Sequence, residues 1–74
     1  MTQSGGKGGG PELRPPDDVP HAGNGEDEGD GTTFEVAANA AFEKAKHKRD
    51  YHRIKHIYFW GTNPISGYRV IVGA

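Results

Sequence analysis

The last twenty-four residues, YHRIKHIYFWGTNPISGYRVIVGA (51–74), hold most of the aromatic and β-branched residues of this chain. Two runs of strand-forming residues flank the turn-rich stretch GTNPISG (61–67), in which Pro64 cannot donate a ladder hydrogen bond. This pattern predicts an antiparallel hairpin that pairs Tyr51 to Trp60 with Gly67 to Val72. The loop between the strands is expected to span about six residues, which is long for a hairpin.

The first strand of this hairpin has apolar side chains on both of its expected faces. A period of two residues groups His52, Ile54, His56, Tyr58 and Trp60 on one face, and Arg53, Lys55, Ile57 and Phe59 on the other. Since neither face is purely polar, we expect one face to pack under a helix and the other to meet a second subunit.

The preceding stretch, TTFEVAANAAFEKAKHKR (32–49), has the pattern of an amphipathic helix. Thr32 and Glu35 have the spacing of a capping box, and a cap at Thr33 is the alternative. The sequence therefore predicts a helix over about residues 33 to 49. Its expected apolar stripe consists of Phe34, Ala38, Ala41, Phe42 and Ala45.

Residues 1 to 31 contain nine of the twelve glycines and four of the five prolines. Such a segment is expected to be disordered because it cannot bury enough apolar area to offset its ordering entropy. The stretch HAGNGEDEGDG (21–31) in particular is expected not to form a paired strand. The prediction is thus an α+β chain with a disordered tail at 1–31 and an αββ domain at 32–74.

The net charge of −1 hides an asymmetry along the chain. Residues 1–30 carry seven acidic and two basic residues, a net charge of −5, whereas residues 31–74 carry seven basic and three acidic residues, a net charge of +4. The sequence therefore joins an acidic tail to a basic domain, and the tail is expected to compete with any anionic partner of that domain.

Composition excludes several classes of protein. The chain has no cysteine, which rules out disulfides and thiolate metal sites. Neither a transmembrane run nor the apolar middle region of a secretory signal is present, so a cytoplasmic protein without membrane contact is expected. A folded unit of about forty residues is close to the size at which domains need oligomerisation, and a homo-oligomer is therefore expected.

Chemistry-bearing residues are sparse. His52 and His56 share a strand face but lie about 13 Å apart along it, too far to bind one ion together with His47. Ser66 lies in a turn without a nearby acid, and the carboxylates Glu35, Glu43 and Asp50 are typical of a helix surface. We therefore predict a non-enzymatic protein without a metal or cofactor.

Two groups of residues are candidates for binding. The first is a basic segment, residues 44–56, which suits phosphate recognition, although such cations also serve only for solubility. The second is an aromatic hairpin end, which suits a protein partner, although such residues also form stabilising cross-strand pairs. The candidate anion or nucleic-acid contacts are Lys44, Lys46, Lys48, Arg49, Arg53 and Lys55. The candidate partner contacts are Tyr58, Trp60, Asn63 and Tyr68.

The run TTFEVAANAAFEKAKHKRDYHRIKHIYFWG (32–61), followed by GYRVIVG (67–73), resembles the later two thirds of dodecins, small flavin-binding proteins of bacteria and archaea. The resemblance implies an oligomer that binds a flat aromatic ligand. At the family's flavin-stacking Trp this chain has Tyr51 or His52, and at its Gln it has Arg69. The family also begins with a strand, which is not expected here.

These observations predict a small homo-oligomeric interaction module that binds a protein partner, or a second copy of itself, through its hairpin face and basic helix end. Nucleic-acid binding by the basic segment is the first alternative. A dodecin-like binder of flavin or a similar flat ligand is the second.

Overall fold

The computed structural model describes residues 14–74, and the predicted behaviour of residues 1–13 lies outside this range. The chain forms strand β1 (Asp27–Gly31), helix α1 (Phe34–Ala45), strand β2 (Arg53–Trp60) and strand β3 (Gly67–Gly73). The three strands build one antiparallel sheet in the order β1-β3-β2. The predicted α+β class is confirmed, and its helix and hairpin are preceded by one further strand.

The hairpin follows the prediction from its turn residues. β2 pairs with β3 from Arg53 opposite Gly73 to Trp60 opposite Gly67, and residues 61–66 form the expected six-residue loop. The backbone N–H of Ser66 donates to the carbonyl of Trp60 at 2.8 Å and closes the loop. Both strands thus begin or end within two residues of the predicted bounds.

Strand β1 corrects the prediction that residues 21–31 cannot form a paired strand. The five residues DEGDG pair with β3 from Asp27 opposite Val72 to Gly31 opposite Tyr68. Glycine and aspartate are poor strand formers in isolation. The strand forms here because its glycines lie against the helix and its acids find partners elsewhere in the chain.

The glycines of β1 allow the helix to touch the sheet backbone. A Cβ built on Gly29 would lie 2.5 Å from the carbonyl oxygen of Ala37, and one on Gly31 would lie 2.6 Å from the Ala37 nitrogen. Any side chain at these two positions would push the helix outward. The glycines of the strand DEGDG therefore allow its backbone to pack directly against the backbone of the helix.

The core lies between α1 and the strands β1 and β3. Its buried residues are Ala37, Ala41, Ala45, Val70 and Val72, with Ala38 and Tyr68 packed against them. The predicted apolar stripe is right at Ala41 and Ala45 but wrong at its two phenylalanines, which remain exposed. Small alanines occupy the contact because only they permit the close approach to β1.

The helix starts with Thr33 as its N-cap, which was the alternative to Thr32. The hydroxyl of Thr33 accepts a hydrogen bond from the backbone N–H of Val36 at 3.2 Å. The helix ends at Ala45, four residues before the predicted end, where Lys48 N–H donates to the Ala45 carbonyl in a tight turn. This turn directs Lys48 toward Asp27 at the start of β1, and Arg49 toward Gly25 just before it.

Replacing Thr33 by Ala is expected to destabilise the fold by about 1 kcal/mol, because the Val36 N–H loses its only side-chain acceptor at the helix start. The matched control is Thr32→Ala, which leaves the observed cap intact and should change the free energy of unfolding by less than half as much. Urea titrations followed by far-ultraviolet circular dichroism measure both. Equal losses in the two variants would contradict the assigned cap.

Residues 14–26, called the N-terminal segment below, fold onto the sheet face opposite the helix. Arg69, only 4% exposed, points from β3 into this face and donates to the carbonyls of Val19 and Pro20 at 3.3 Å. Val19 is itself buried. The prediction of a tail up to residue 31 is therefore corrected for residues 14–31, which belong to the folded unit.

Candidate interaction surface

Strand β2 is an edge strand that the helix leaves uncovered. In the sheet order β1-β3-β2 it pairs on one side with β3, and among residues 14–74 no strand pairs with its other side. Within this described range, no Cα of α1 comes within 8 Å of a Cα of β2. The outer edge of this eight-residue strand, with the side chains on its helix side, is thus open to solvent.

A bulge concentrates apolar side chains on one face of β2. The register with β3 shifts between Ile54 and His56, so that Lys55 has no paired residue. As a result Ile54, Ile57 and Phe59 lie opposite Val72, Val70 and Tyr68 on the helix side of the sheet. This corrects the period-two prediction, which placed Ile54 with His56 and Tyr58.

These three side chains are unusually exposed for their size. Ile54, Ile57 and Phe59 retain 45%, 49% and 60% of their accessible surface. Single exposed apolar residues are normal, but three on one strand face form a contiguous patch, which is typical of an interaction site.

One flank of the helix extends this patch. Phe34, Ala38 and Phe42 follow each other at intervals of four residues, and the Phe42 ring packs edge-on against His52, just before β2, with ring centres 5.2 Å apart. The start of the helix lies near the Phe59 end of β2, since Gly31 pairs with Tyr68 and Tyr68 with Phe59. We call the exposed set Ile54, Ile57, Phe59, Phe34 and Phe42 the apolar shelf.

The shelf is open rather than enclosed, as the described part of the chain contains no pocket. The helix face that points away from the sheet is polar, with Glu35, Asn39 and Glu43 at its solvent positions. Val36, Tyr51 and Ile65 are also exposed, but the other five exposed large apolar residues lie along β2 and the adjoining helix flank.

Charge divides β2 into two halves. The first half, Arg53 to His56 (RIKH), carries two permanent cations, and the second half, Ile57 to Trp60 (IYFW), carries none. Lys55 lies at the bulge, and Arg53 begins the strand. The two ends of the exposed edge therefore differ in charge, so that parallel and antiparallel pairing with a second strand are not equivalent.

The predicted cationic contacts are partly engaged within the chain. Lys46 pairs with Glu43 at 2.8 Å, and Lys48 pairs with Asp27 of β1 at 2.9 Å. Arg49 donates to the carbonyl of Gly25 at 3.2 Å. The remaining candidates, Lys44, Arg53 and Lys55, make no ion pair among residues 14–74.

The predicted aromatic partner contacts do not form one surface. Tyr68 lies on the helix side and packs against the core, whereas Tyr58 lies opposite Arg69 on the other face and stacks on His56 with ring centres 5.9 Å apart. Trp60 is buried with its indole against Gly67, and Asn63 is exposed in the loop with a φ of 47°. Trp60 thus fits the alternative interpretation, a cross-strand residue that stabilises the hairpin end.

The histidines are also separated. His52 packs on Phe42, His56 stacks on Tyr58, and His47 is exposed in the turn after the helix. Across the described residues, no three side chains of the metal-binding types come together as a possible ion site. Between residues 14 and 74, no helix is both long enough and apolar enough to cross a bilayer.

The opposite face of the sheet is occupied by ionic contacts. The guanidinium of Arg69 donates to both carboxylate oxygens of Asp30, at 2.7 and 2.9 Å, and its Nε lies 3.6 Å from Glu28. The Ala22 N–H donates to Glu28 at 2.7 Å, and His21 Nδ1 lies 3.1 Å from the same carboxylate. These contacts hold the N-terminal segment in place, so this face is not free for a partner at β1 and β3.

The Arg69 contacts shift two pKa values. The hydrogen bond to Asp30 raises the pKa of Arg69 above its usual value despite the opposing effect of burial. Burial raises the pKa of Glu28, but the Ala22 N–H, His21 and Arg69 together lower it more, so that its pKa lies below the usual range. The contribution of Glu28 to stability is therefore present above its unfolded pKa and is lost as the pH falls through its folded pKa.

The apolar shelf as a unit was not predicted from the sequence. The pattern placed Ile57 and Phe59 on one strand face without deciding which face packs under the helix, and it placed Phe34 and Phe42 in the apolar stripe of the helix. The bulge that moves Ile54 has no local marker such as glycine. One signal was present: alanines at 37, 41 and 45 form a narrower stripe than the phenylalanines do. Comparison of the chain with protein-family models, curated proteins and solved structures gave no match.

Proposed function

We propose that this protein is a non-enzymatic interaction module that self-associates through the apolar shelf and the free edge of β2. The observation that supports this proposal is the exposure of Ile54, Ile57 and Phe59 on an eight-residue strand whose outer edge pairs with no strand among residues 14–74. A long edge strand with exposed apolar residues pairs readily with another strand. Charge and a bulge, which blunt such edges, are confined to the half of β2 from Arg53 to His56, and the half from Ile57 to Trp60 has neither.

The energetics favour a protein surface as the partner. Burial of one exposed Ile or Phe side chain contributes about 1.5–3 kcal/mol. In a symmetric dimer each shelf residue is buried once on each of the two copies. Association costs at least about 4 kcal/mol, which a shelf of five large side chains on each copy can offset. A standard interface takes about 800 Å² per partner. This is roughly a sixth of the 4768 Å² surface of the chain.

The substitution Phe59→Asp tests the proposal. It places a charge at the most exposed residue of the shelf and is expected to weaken a symmetric dimer by about 10³-fold, at about 2 kcal/mol per copy. Light scattering coupled to size exclusion should show a dimer or larger species for the unmodified chain and a monomer for the variant. Circular dichroism should be the same for both.

The matched control is Asn39→Asp, which adds the same charge on the solvent face of the helix. This variant should keep the mass of the unmodified protein. If light scattering shows only monomer at every concentration up to about 1 mM, the self-association is too weak to count as binding and the proposal is wrong.

Nucleic-acid binding by the basic segment is the alternative that the free cations Lys44, Arg53 and Lys55 support. It is weaker than the first proposal, because Lys46 and Lys48 are already paired with acids of the chain itself. If three cations contact phosphates, the logarithm of affinity for duplex DNA should fall with the logarithm of salt concentration with a slope of about −2.7.

A dodecin-like ligand site is the third proposal. Strand β1 supplies the first strand that the resemblance requires, which supports a similar order of elements. The positions of the family's ligand contacts hold Tyr51, which is exposed, or His52, which packs on Phe42, and Arg69, whose guanidinium is engaged by Asp30. Quenching of riboflavin fluorescence by added protein would support a ligand site, and unchanged fluorescence would count against it.

A further inference from the structure

We propose that the partner on the apolar shelf is a second copy of this chain, joined by antiparallel pairing of the two β2 edges about a twofold axis near Ile57. This inference rests on the proposed self-association and adds its geometry. The product is a six-stranded sheet in which both helices lie on the same side. The apolar residues Ile54, Ile57 and Phe59 of the two copies lie side by side between these helices.

The charge pattern of β2 favours the antiparallel direction. In an antiparallel pair the basic half of one copy, Arg53 to His56, lies beside the aromatic half of the other, Ile57 to Trp60. Cations and aromatic rings attract each other, so these contacts stabilise the antiparallel pair at both of its ends. In a parallel pair Arg53 would lie beside Arg53 and Lys55 near Lys55, and like charges on neighbouring strands are destabilising.

Other surfaces of the molecule are poor sites for a second copy. The solvent face of the helix is polar at Glu35, Asn39 and Glu43, so a second sheet gains little by stacking on it. The opposite sheet face is covered at Arg69 by the N-terminal segment.

The β1 edge is also unsuited to pairing with itself. It is a five-residue strand with three acids, and pairing of two such edges brings like charges together. The β2 edge is longer, carries the shelf and is complementary to itself. Pairing of β2 with the β1 edge of another copy would instead give a head-to-tail chain that has no fixed end.

Cysteine crosslinking measures the direction and register directly, because the chain has no cysteine of its own. In the proposed dimer the two copies of residue 57 lie within about 6 Å of each other. The two copies of residue 53 are separated by eight residues along the strand, or about 26 Å at ~3.3 Å per residue. The variants are Ile57→Cys and Arg53→Cys, both at exposed positions on the same strand.

Each variant is treated with a short bis-maleimide and analysed by denaturing electrophoresis, after circular dichroism has shown that it is folded. Ile57→Cys is expected to give a covalent dimer as the main product, and Arg53→Cys is expected to remain monomeric. Addition of Phe59→Asp to the Ile57→Cys chain should abolish the crosslink.

The other outcomes separate the two proposals. A dimer that Phe59→Asp dissociates, but in which residue 57 does not crosslink, overturns the twofold β2 pairing and leaves self-association standing. Equal crosslinking at residues 53 and 57 indicates parallel pairing and also overturns it. Species that grow beyond a dimer with concentration indicate head-to-tail pairing with β1. An unmodified chain that is monomeric by light scattering overturns both proposals.

Discussion

The substitution Gly29→Ala is expected to destabilise the fold by about 2–3 kcal/mol, although it adds only one methyl group. The new Cβ would lie 2.5 Å from the carbonyl oxygen of Ala37 and 2.7 Å from the carbonyl carbon of Ala40, and it would also collide with the backbone nitrogen of Ala41. These are backbone atoms of a packed helix, which cannot rotate away as a side chain can. Overpacking at such a contact typically costs about 1–3 kcal/mol, and here the helix must move as a unit.

The matched control is Gly23→Ala in the N-terminal segment. A Cβ at Gly23 would meet only a side-chain oxygen of Glu26 at 3.6 Å, an ordinary contact, so this variant should change stability by less than about 0.5 kcal/mol. Urea unfolding of both variants at equal protein concentration gives the comparison, because self-association makes stability depend on concentration. Similar midpoints for the two variants would show that α1 does not pack on β1 as described.

The hairpin could be predicted because the signals that form it are local. Strand formers on either side of a loop with Gly61, Pro64 and Gly67 specify two strands and their connection without reference to the rest of the chain. The helix start was predicted to within one residue for the same reason, since a threonine cap acts on the next three residues.

Strand β1 could not be predicted because its stabilising contacts are distant in sequence. Glu28 and Asp30 are satisfied by Arg69, which lies 39 residues after Asp30, and the glycines are required by a helix that follows them. Composition alone assigns such a segment to a disordered tail. The sequence also predicted that acids of this segment compete with an anionic partner of the basic domain. Asp27 and Asp30 do contact cations of their own chain, and the competition itself stays a prediction.

The apolar shelf shows how a small helix contact exposes large residues elsewhere. Since the glycines of β1 bring the helix close to the sheet, alanines fill the contact and Phe34 and Phe42 are left on the helix flank. The helix covers only β1 and β3, and the bulge turns Ile54 to the same side as Ile57. Because the apolar shelf exposes five large side chains on an 8.0 kDa chain, we expect a second copy to cover it.

The substitution Arg69→Ala is expected to have an equally large effect, a loss of about 2–4 kcal/mol with release of the N-terminal segment. The Arg69 side chain is 4% exposed and Asp30 is 25% exposed, so removal of Arg69 leaves the partly buried carboxylate of Asp30 without a cation. Glu28 loses its contact with Arg69 but keeps those with His21 and the Ala22 N–H. Breaking a fully buried ion pair costs about 3–5 kcal/mol, and the partial exposure of the acids reduces this figure. The carbonyls of Val19 and Pro20 lose their donor at the same time.

The control is Lys46→Ala, which breaks the pair with Glu43, in which the two side chains are 40% and 65% exposed. Exposed pairs contribute little to stability, so this variant should remain close to the unmodified protein. Trp60, the single tryptophan, reports unfolding by fluorescence, and limited proteolysis within residues 14–26 reports release of the N-terminal segment. The double substitution Asp30→Asn with Arg69→Ala should recover part of the loss, because an amide is less costly to leave unpaired than a carboxylate. Equal stability of the Arg69 and Lys46 variants would mean that Arg69 does not hold this segment on the sheet.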